Sequence, residues 1–123
     1  MRPTNRDLSV MKHMYEYCEE IDRTLKEVDY KREKYDTSST HRNALALCIM
    51  QIGELSGLLS DGFKANNTQQ PWRDIKQMRN IIAHHYGAFD YDILWEVVTE
   101  GIPELRAFCK EKLNSCPFNN IAI

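Results

Sequence analysis

Apolar residues recur at intervals of three and four along most of this chain, which is the spacing of one face of an α-helix. The first such stretch comprises Leu8, Met11, Tyr15, Cys18, Ile21, Leu25 and Val28. The second comprises Leu45, Cys48, Ile49, Ile52, Leu55 and Leu59. No segment shows the period of two that marks a β-strand. The pattern predicts an all-α fold, an up-down bundle of four to five helices with two long antiparallel helices.

Local signals indicate where the first helices begin and end. Thr4 followed by Asp7 resembles a capping box, which predicts a first helix of about 25 residues starting there. One of the serines in the turn-prone segment 35–39 is expected to cap the second helix. We expect Asp61 and Gly62 to end that helix, and residues 63–70 to form a polar loop with or without one short turn.

A third helix is predicted between Pro71 and Gly87, because proline suits the first turn of a helix and glycine the position just past its end. Its apolar stripe comprises Trp72, Ile75, Met78, Ile82 and Tyr86. Asn80 and His84 lie one above the other, roughly opposite this stripe. Arg79 lies about 140° around the helix from His84, nearer the edge of the stripe.

The last part of the chain predicts one or two further helices. Asp90 is placed to cap a fourth helix. Gly101, Ile102 and Pro103 interrupt it, either as a kink or as a break at which Pro103 opens a last helix. Residues 114–123 show no period, so we expect a domain over residues 1–113 and a C-terminal tail over residues 114–123.

Two glycines within the second predicted helix, Gly53 and Gly57, are four residues apart and form a smooth groove on one face. Glycine inside a helix costs roughly 0.5–1 kcal/mol relative to alanine, so its presence needs a reason. We expect this groove to let another helix pack closely. Glu54 and His41 are polar residues near the same faces, and the sequence assigns neither of them a catalytic role.

Composition restricts the class of protein. The 123 residues are 42% hydrophobic and 28% charged, which is typical of a single globular domain. The net charge of −2 gives the whole molecule no strong attraction to nucleic acid, so any RNA binding needs a local patch. No apolar run approaches the ~20 residues of a transmembrane helix, and no signal peptide is visible. We expect a cytoplasmic protein with no membrane association.

The cysteine and histidine spacings do not favour a metal centre. Cys18, Cys48, Cys109 and Cys116 are far apart and form no Cys-x2-Cys pair, so we expect buried free thiols rather than a disulfide or zinc site. His85 adjoins His84, but neighbouring helical positions point about 100° apart and do not easily chelate one ion. We expect no metal and no cofactor.

The polar set of Arg79, Asn80 and His84 has two explanations. Cations near the end of a helix stabilise its dipole by a few tenths of a kcal/mol. The alternative is catalysis, since histidine transfers protons near neutral pH and arginine holds a phosphate. These groups suffice in kind for metal-free RNA cleavage through a 2′,3′-cyclic phosphate, with Asn80 orienting the imidazole or donating to the phosphate. One helix does not bring Arg79 and His84 together, but two copies around a two-fold axis do.

Arg79, His84 and Tyr86 form an Arg-x4-His-x-Tyr sequence, which resembles the motif of HEPN domains in the HepT-like toxin branch. The resemblance covers roughly residues 4–110. It extends to other positions where that family has such residues: Gln51-Ile52-Gly53-Glu54, Pro71-Trp72, Met78, Asn80, Asp90, Trp95, Pro103 and Leu105.

The resemblance implies a homodimeric, metal-independent endoribonuclease that acts as a toxin, with Arg79 and His84 as catalytic residues and Asn80 in support. It also implies a partner, a minimal nucleotidyltransferase antitoxin that adds AMP to Tyr86 and so places negative charge beside the RNA phosphate. A purely structural role for Tyr86 is the alternative, since buried tyrosines are common. Two alternatives for the whole chain are a non-catalytic HEPN binding module that assists a partner nucleotidyltransferase, and a generic helical interaction domain.

Overall fold

The computed structural model of the chain describes residues 3–85 and 88–116, which fold into a bundle of helices with no strand among them. The helices are α1 (Asn5–Glu27), α2 (Arg32–Asp36), α3 (Ser39–Ser56), α4 (Asp61–Asn66), α5 (Trp72–His84), α6 (Tyr91–Glu96) and α7 (Ile102–Asn114), with a π-helical turn (Val97–Gly101) between α6 and α7. The all-α prediction is confirmed. The principal helices of the bundle are α1, α3, α5 and the continuous helix over residues 91–114.

The two long helices, α1 and α3, are antiparallel, as predicted. Asp7 near the start of α1 accepts a hydrogen bond from Ser60, just beyond the end of α3. Glu27 at the end of α1 lies 2.8 Å from the imidazole of His41 near the start of α3. Ser38 caps α3 by accepting a hydrogen bond from the His41 backbone N–H, which confirms a serine cap in this segment.

The core lies between α1, α3, α5 and α7, and it contains most of the predicted stripe of α1, of which Tyr15 is only partly buried. Three of the four thiols, those of Cys18, Cys48 and Cys109, are buried and free, as expected from their positions on apolar faces. Burial raises the pKa of Cys48 and of Cys109 to about 12. These thiols are therefore protonated and unreactive at neutral pH.

Two short helices, α2 and α4, occur in or next to segments where the sequence predicted a turn and a loop. The expected end of the second helix at Asp61 is wrong, because α3 ends at Ser56. The short turn left open within 63–70 is the end of α4, which Ser60 caps by accepting from the Phe63 backbone N–H, and residues 67–71 follow it outside any helix. Phe63 is buried against Trp72 and Phe108, and this aromatic packing holds the short helix in place.

The short helix α2 lies in the segment next to the first predicted turn. Tyr35 is completely buried, and its hydroxyl donates a 2.7 Å hydrogen bond to the Tyr91 carbonyl at the start of α6. Its ring also contacts Trp95, with the ring centroids 4.9 Å apart. A helix of five residues does not persist alone in water, so these tertiary contacts stabilise it.

The helix over residues 91–114 continues through the segment where the sequence left open a kink or a break. Asp90 caps α6 as predicted, accepting from the backbone N–H groups of Asp92 and Ile93. The Ile102 N–H bonds to the Val97 carbonyl, five residues back, in the π-helical turn. Pro103 then lies in the first turn of α7. No break occurs there, because the wider turn and the new first turn accommodate the proline.

No helix within residues 3–85 and 88–116 combines the length and apolar character that crossing a membrane requires.

The predicted capping box of α1 is part of a larger hydrogen-bond network around Asp7, whose side chain is 1% exposed. Its carboxylate accepts bonds from the Ser60 N–H and hydroxyl, both at 2.8 Å, and from the Thr4 N–H. Burial alone raises the pKa of Asp7, but these hydrogen bonds outweigh it and hold the pKa below the usual value of 3.8. The ionised carboxylate therefore links the start of α1 to the start of α4.

Replacing Asp7 with alanine should lower the free energy of unfolding at pH 7 by about 3 kcal/mol, because several donors lose a charged acceptor. Because the folded pKa is depressed, this contribution is complete above pH ~4 and disappears as pH falls through the folded pKa. The difference between the wild type and Asp7→Asn should accordingly shrink between pH 7 and pH 3 in urea titrations. The exposed Asp61→Asn serves as the control, and a difference independent of pH would contradict the assignment.

Candidate active site

Helix α5 carries the polar residues singled out in the sequence, and it packs mainly against α3. Met78 and Ile82 are buried, whereas Trp72 and Ile75 are only partly buried. The predicted stripe therefore exists, but half of it is incompletely covered. Pro71 occupies the N-cap position rather than the first turn, and α5 ends at His84. Tyr86 and Gly87 lie outside the described residues.

The closest approach of α3 and α5 occurs at Gly53. A Cβ atom at Gly53 would lie 2.8 Å from Cγ of Arg79 and closer still to its Cβ, and 3.3 Å from the Ile75 carbonyl oxygen. The aliphatic stem of Arg79 therefore rests directly on the Gly53 backbone, which confirms close helix packing at this glycine. The same expectation is wrong for Gly57, where a Cβ would meet only the backbone of the preceding turn of its own chain.

This packing directs the guanidinium of Arg79 toward the edge of α3. One terminal nitrogen forms an ion pair with Glu54. The other donates a 3.0 Å hydrogen bond to the side-chain oxygen of Asn80. The Nε atom is buried without a hydrogen-bond partner. The guanidinium is thus fixed by its neighbours on both helices, with the ion pair at a partly exposed position.

His84 is the last residue of α5 and is exposed, and Asn80 lies one turn before it on the same side of the helix. No hydrogen bond or ion pair joins Arg79 to His84 within the chain. Asn80 accepts a hydrogen bond from the guanidinium and lies one helical turn before His84. The structure therefore groups a cation, an amide and an imidazole on adjacent turns, and leaves the imidazole free to meet a ligand or a second subunit.

The structure places Glu54 beside Arg79, although the sequence assigned Glu54 no catalytic role. Its carboxylate is about half exposed and reaches Arg79 across the helix interface. Its position directly after Gly53 could have identified it from the sequence, since the residue that follows a glycine at a helix contact lies beside the crossing helix. The described residues include no group of three or more His, Cys, Asp and Glu side chains arranged to hold a metal ion.

Comparison with known proteins identifies the family of this chain. The family described as "Ribonuclease HepT-like" matches residues 14–111, which include Arg79, Asn80, His84 and the Glu54 region. No solved structure shows a significant match.

Curated relatives agree with this match. A protein of Caldanaerobacter subterraneus subsp. tengcongensis named "Putative RNase" is 30% identical over 103 residues, 84% of this chain and 90% of that protein. A Methanocaldococcus jannaschii protein, also named "Putative RNase", is 30% identical over 81 residues, 66% of this chain and 72% of that protein. A Thermococcus cleftensis protein named "Probable ribonuclease HepT" is 38% identical over 55 residues, 45% of this chain and 50% of that protein. The family resemblance carried by the Arg-x4-His-x-Tyr sequence is confirmed, and this chain belongs to the HepT-like ribonuclease family.

Proposed function

We propose that this protein is a metal-independent endoribonuclease toxin in which Arg79 binds the scissile phosphate and His84 transfers protons. The observation that carries the proposal is the grouping of these residues at the end of α5, within the region that matches the ribonuclease family. His84 is exposed, as a residue that meets RNA must be. Asn80 supports the site by holding the guanidinium on one side and adjoining the imidazole on the other.

The reaction needs three elements, and these residues supply each of them. One imidazole accepts the proton of the 2′-hydroxyl as its oxygen attacks phosphorus. A second imidazole donates a proton to the 5′-oxygen as the bond from phosphorus to that oxygen breaks. The guanidinium stabilises the negative charge that builds on the non-bridging oxygens. The products are a 2′,3′-cyclic phosphate and a 5′-hydroxyl, so the reaction requires no metal ion and consumes no water.

A symmetric homodimer supplies the two imidazoles and brings them to the guanidinium. The side chains of Arg79 and His84 leave α5 about 140° apart, so the pair is more readily completed between subunits than within one. Two exposed apolar residues support this interface. Ile81, three residues before His84, is 37% exposed, and Leu47, on the same face of α3 as Glu54, is 51% exposed. A two-fold axis beside His84 buries both.

Control of the toxin is assigned to a partner nucleotidyltransferase antitoxin that adds AMP to Tyr86. The added phosphate brings negative charge and bulk two residues from His84, which opposes the RNA phosphate. The rival proposal is a HEPN-fold module that binds without cleaving, in support of such a partner. The ion pair between Glu54 and Arg79 favours the rival, because it occupies the group that has to bind phosphate.

The test is an RNA-cleavage assay of the purified protein with EDTA present. The wild type should produce fragments that end in 2′,3′-cyclic phosphate, and Arg79→Ala and His84→Ala should not. In cells, expression of the wild type should stop growth, while His84→Ala should not. Intact mass of protein produced together with its antitoxin should show added AMP that Tyr86→Phe lacks. Equal growth of cells expressing wild type and His84→Ala would favour the binding module.

Glu54→Gln should strengthen RNA binding two- to fivefold, because an exposed ion pair contributes up to about 1 kcal/mol and its carboxylate competes with phosphate. The dissociation constant is best measured by fluorescence anisotropy in the His84→Ala background, where RNA stays intact. The matched control is Glu33→Gln, which removes the same charge from an exposed position on α2. Equal affinities for the two variants would show that Glu54 does not compete for Arg79.

A further inference from the structure

An apolar groove lies between the N-terminal half of α5 and the helix over residues 91–114. Its volume is about 220 Å³, and α3 forms its floor. Most of the lining side chains are apolar, and all three helices contribute them: Ile49, Ile52, Ile75, Met78, Val97 and Leu105. This groove explains why Ile75 is only partly buried, since its side chain lines the groove.

The wall opposite α5 is open at Gly101. A Cβ atom at Gly101 would meet no atom within 4 Å, so the absence of a side chain there deepens the groove. Ile93, two turns before Gly101, is 50% exposed and extends the apolar surface beyond the groove. An apolar cleft continued by an exposed isoleucine is typical of a surface that accepts an apolar partner.

The rim of the groove along residues 96–104 is acidic. Asp74 lines the wall on α5, and the lining includes no lysine, arginine or histidine. Three exposed glutamates, each one position before a lining residue, follow the other wall: Glu96, Glu100 and Glu104. On α5, the exposed Arg73 and Lys76 each adjoin a lining residue, so Asp74 does not make that wall acidic. Negative charge therefore flanks the apolar floor along residues 96–104.

We propose that this groove docks an amphipathic helix of a partner protein, with aliphatic residues at helical spacing and lysine or arginine on the flank that faces residues 96–104. The aliphatic residues fill the apolar floor, as in other helix-in-groove complexes. The cations meet the carboxylates of the rim, which speeds association and fixes the orientation of the helix. The proposal is independent of the nuclease function, because none of the lining residues belongs to the Arg79 and His84 set.

Charge distinguishes a basic helix from two other possible occupants of the groove, which are RNA and the C-terminal segment of the chain. RNA carries a phosphate at every nucleotide, and the three glutamates of the acidic rim repel it. The C-terminal segment 114–123 has the apolar residues Phe118, Ile121 and Ile123 but no lysine or arginine. It therefore has no cationic side chain that could pair with the carboxylates of the acidic rim. A helix with basic flanks satisfies both the floor and the rim.

The first test uses two fluorescein-labelled peptides of about 18 residues with the same leucine spacing, one flanked by lysine and the other by glutamate. Titrated with the full-length protein, the lysine peptide should bind at least about tenfold more tightly than the glutamate peptide, with an affinity that falls as salt rises. The double variant Glu100→Lys/Glu104→Lys should reduce binding of the lysine peptide by a similar factor. Glu33→Lys, an equivalent change on exposed α2, should leave it unchanged.

The second test fills the groove. Gly101→Leu places a side chain in open space at a helical position, so the protein should remain folded with an undiminished melting temperature. It should lose binding of the lysine peptide by more than about tenfold, because the leucine occupies the volume that the peptide needs. RNA cleavage by Gly101→Leu should equal that of the wild type, which separates this inference from the proposed nuclease activity.

Several results would overturn the proposal. Equal binding of the two peptides, or full binding by Gly101→Leu, would exclude the groove or its charge as the determinant. Binding that appears only after removal of residues 117–123 would assign the groove to the chain's own C-terminal segment. Conversion of a dimer to a monomer by Gly101→Leu, seen by sedimentation, would assign it to a second copy. Displacement of the peptide by an RNA oligonucleotide would assign it to nucleic acid.

Discussion

Replacing His84 with alanine should lower the rate of RNA cleavage by at least about a hundredfold, because a positioned proton-transfer group contributes about 10²–10⁴. The imidazole is exposed at the end of α5, so the free energy of unfolding should change by less than about 0.5 kcal/mol. The measurement is the initial rate on a defined RNA with EDTA present, beside urea unfolding of each variant.

The chain contains a matched control for this change. His85 adjoins His84, is also exposed, and lies just beyond the end of α5 with a non-helical backbone. His85→Ala should retain cleavage within about twofold of the wild type. If both alanine variants lose activity equally, the loss reflects the end of the helix rather than one catalytic imidazole, and the assignment of His84 is wrong.

Replacing Gly53 with alanine should destabilise the protein by about 2–3 kcal/mol, although alanine is the better helix former. The new methyl group meets the fixed beginning of the Arg79 side chain and the Ile75 carbonyl, so α3 and α5 have to move apart. Because the same contact holds the guanidinium, cleavage should fall as well. Urea unfolding and the cleavage assay measure the two effects separately.

Gly57→Ala is the control for this second prediction. Gly57 ends α3 with a helical backbone, and a Cβ there would lie no nearer than 3.3 Å to its neighbours, all in its own helix. This change should leave both stability and cleavage near wild-type values. A Gly53→Ala variant as stable as Gly57→Ala would show that the two helices are not in contact at Gly53.

The long elements were predictable because their signals are local. The apolar spacing of α1, the Thr4 and Asp7 capping box and the Asp90 cap each involve residues within a few positions of one another. The short helices α2 and α4 were not predictable in this way. They depend on Tyr35 and Phe63 finding partners far along the chain, and periodicity carries no information about such contacts.

The candidate site was likewise predictable only where its residues are close together in the sequence. The sequence indicated the residue types and the order of Arg79, Asn80 and His84, because one helix carries all three. It did not indicate that Glu54 pairs with Arg79, since that contact depends on where α5 crosses α3. The apolar groove was equally invisible, because it results from the spacing between α5 and the helix over residues 91–114.

Subunit mixing tests the central claim, that the site needs the His84 imidazoles of both subunits. Equal amounts of wild-type and His84→Ala protein are unfolded, refolded together, and assayed with EDTA present. A quarter of the dimers are then wild-type pairs, and the mixed half hold one intact imidazole each, so activity should be about a quarter of that of the same total amount of refolded wild type. Activity of about one half would contradict a site that needs an imidazole from each subunit.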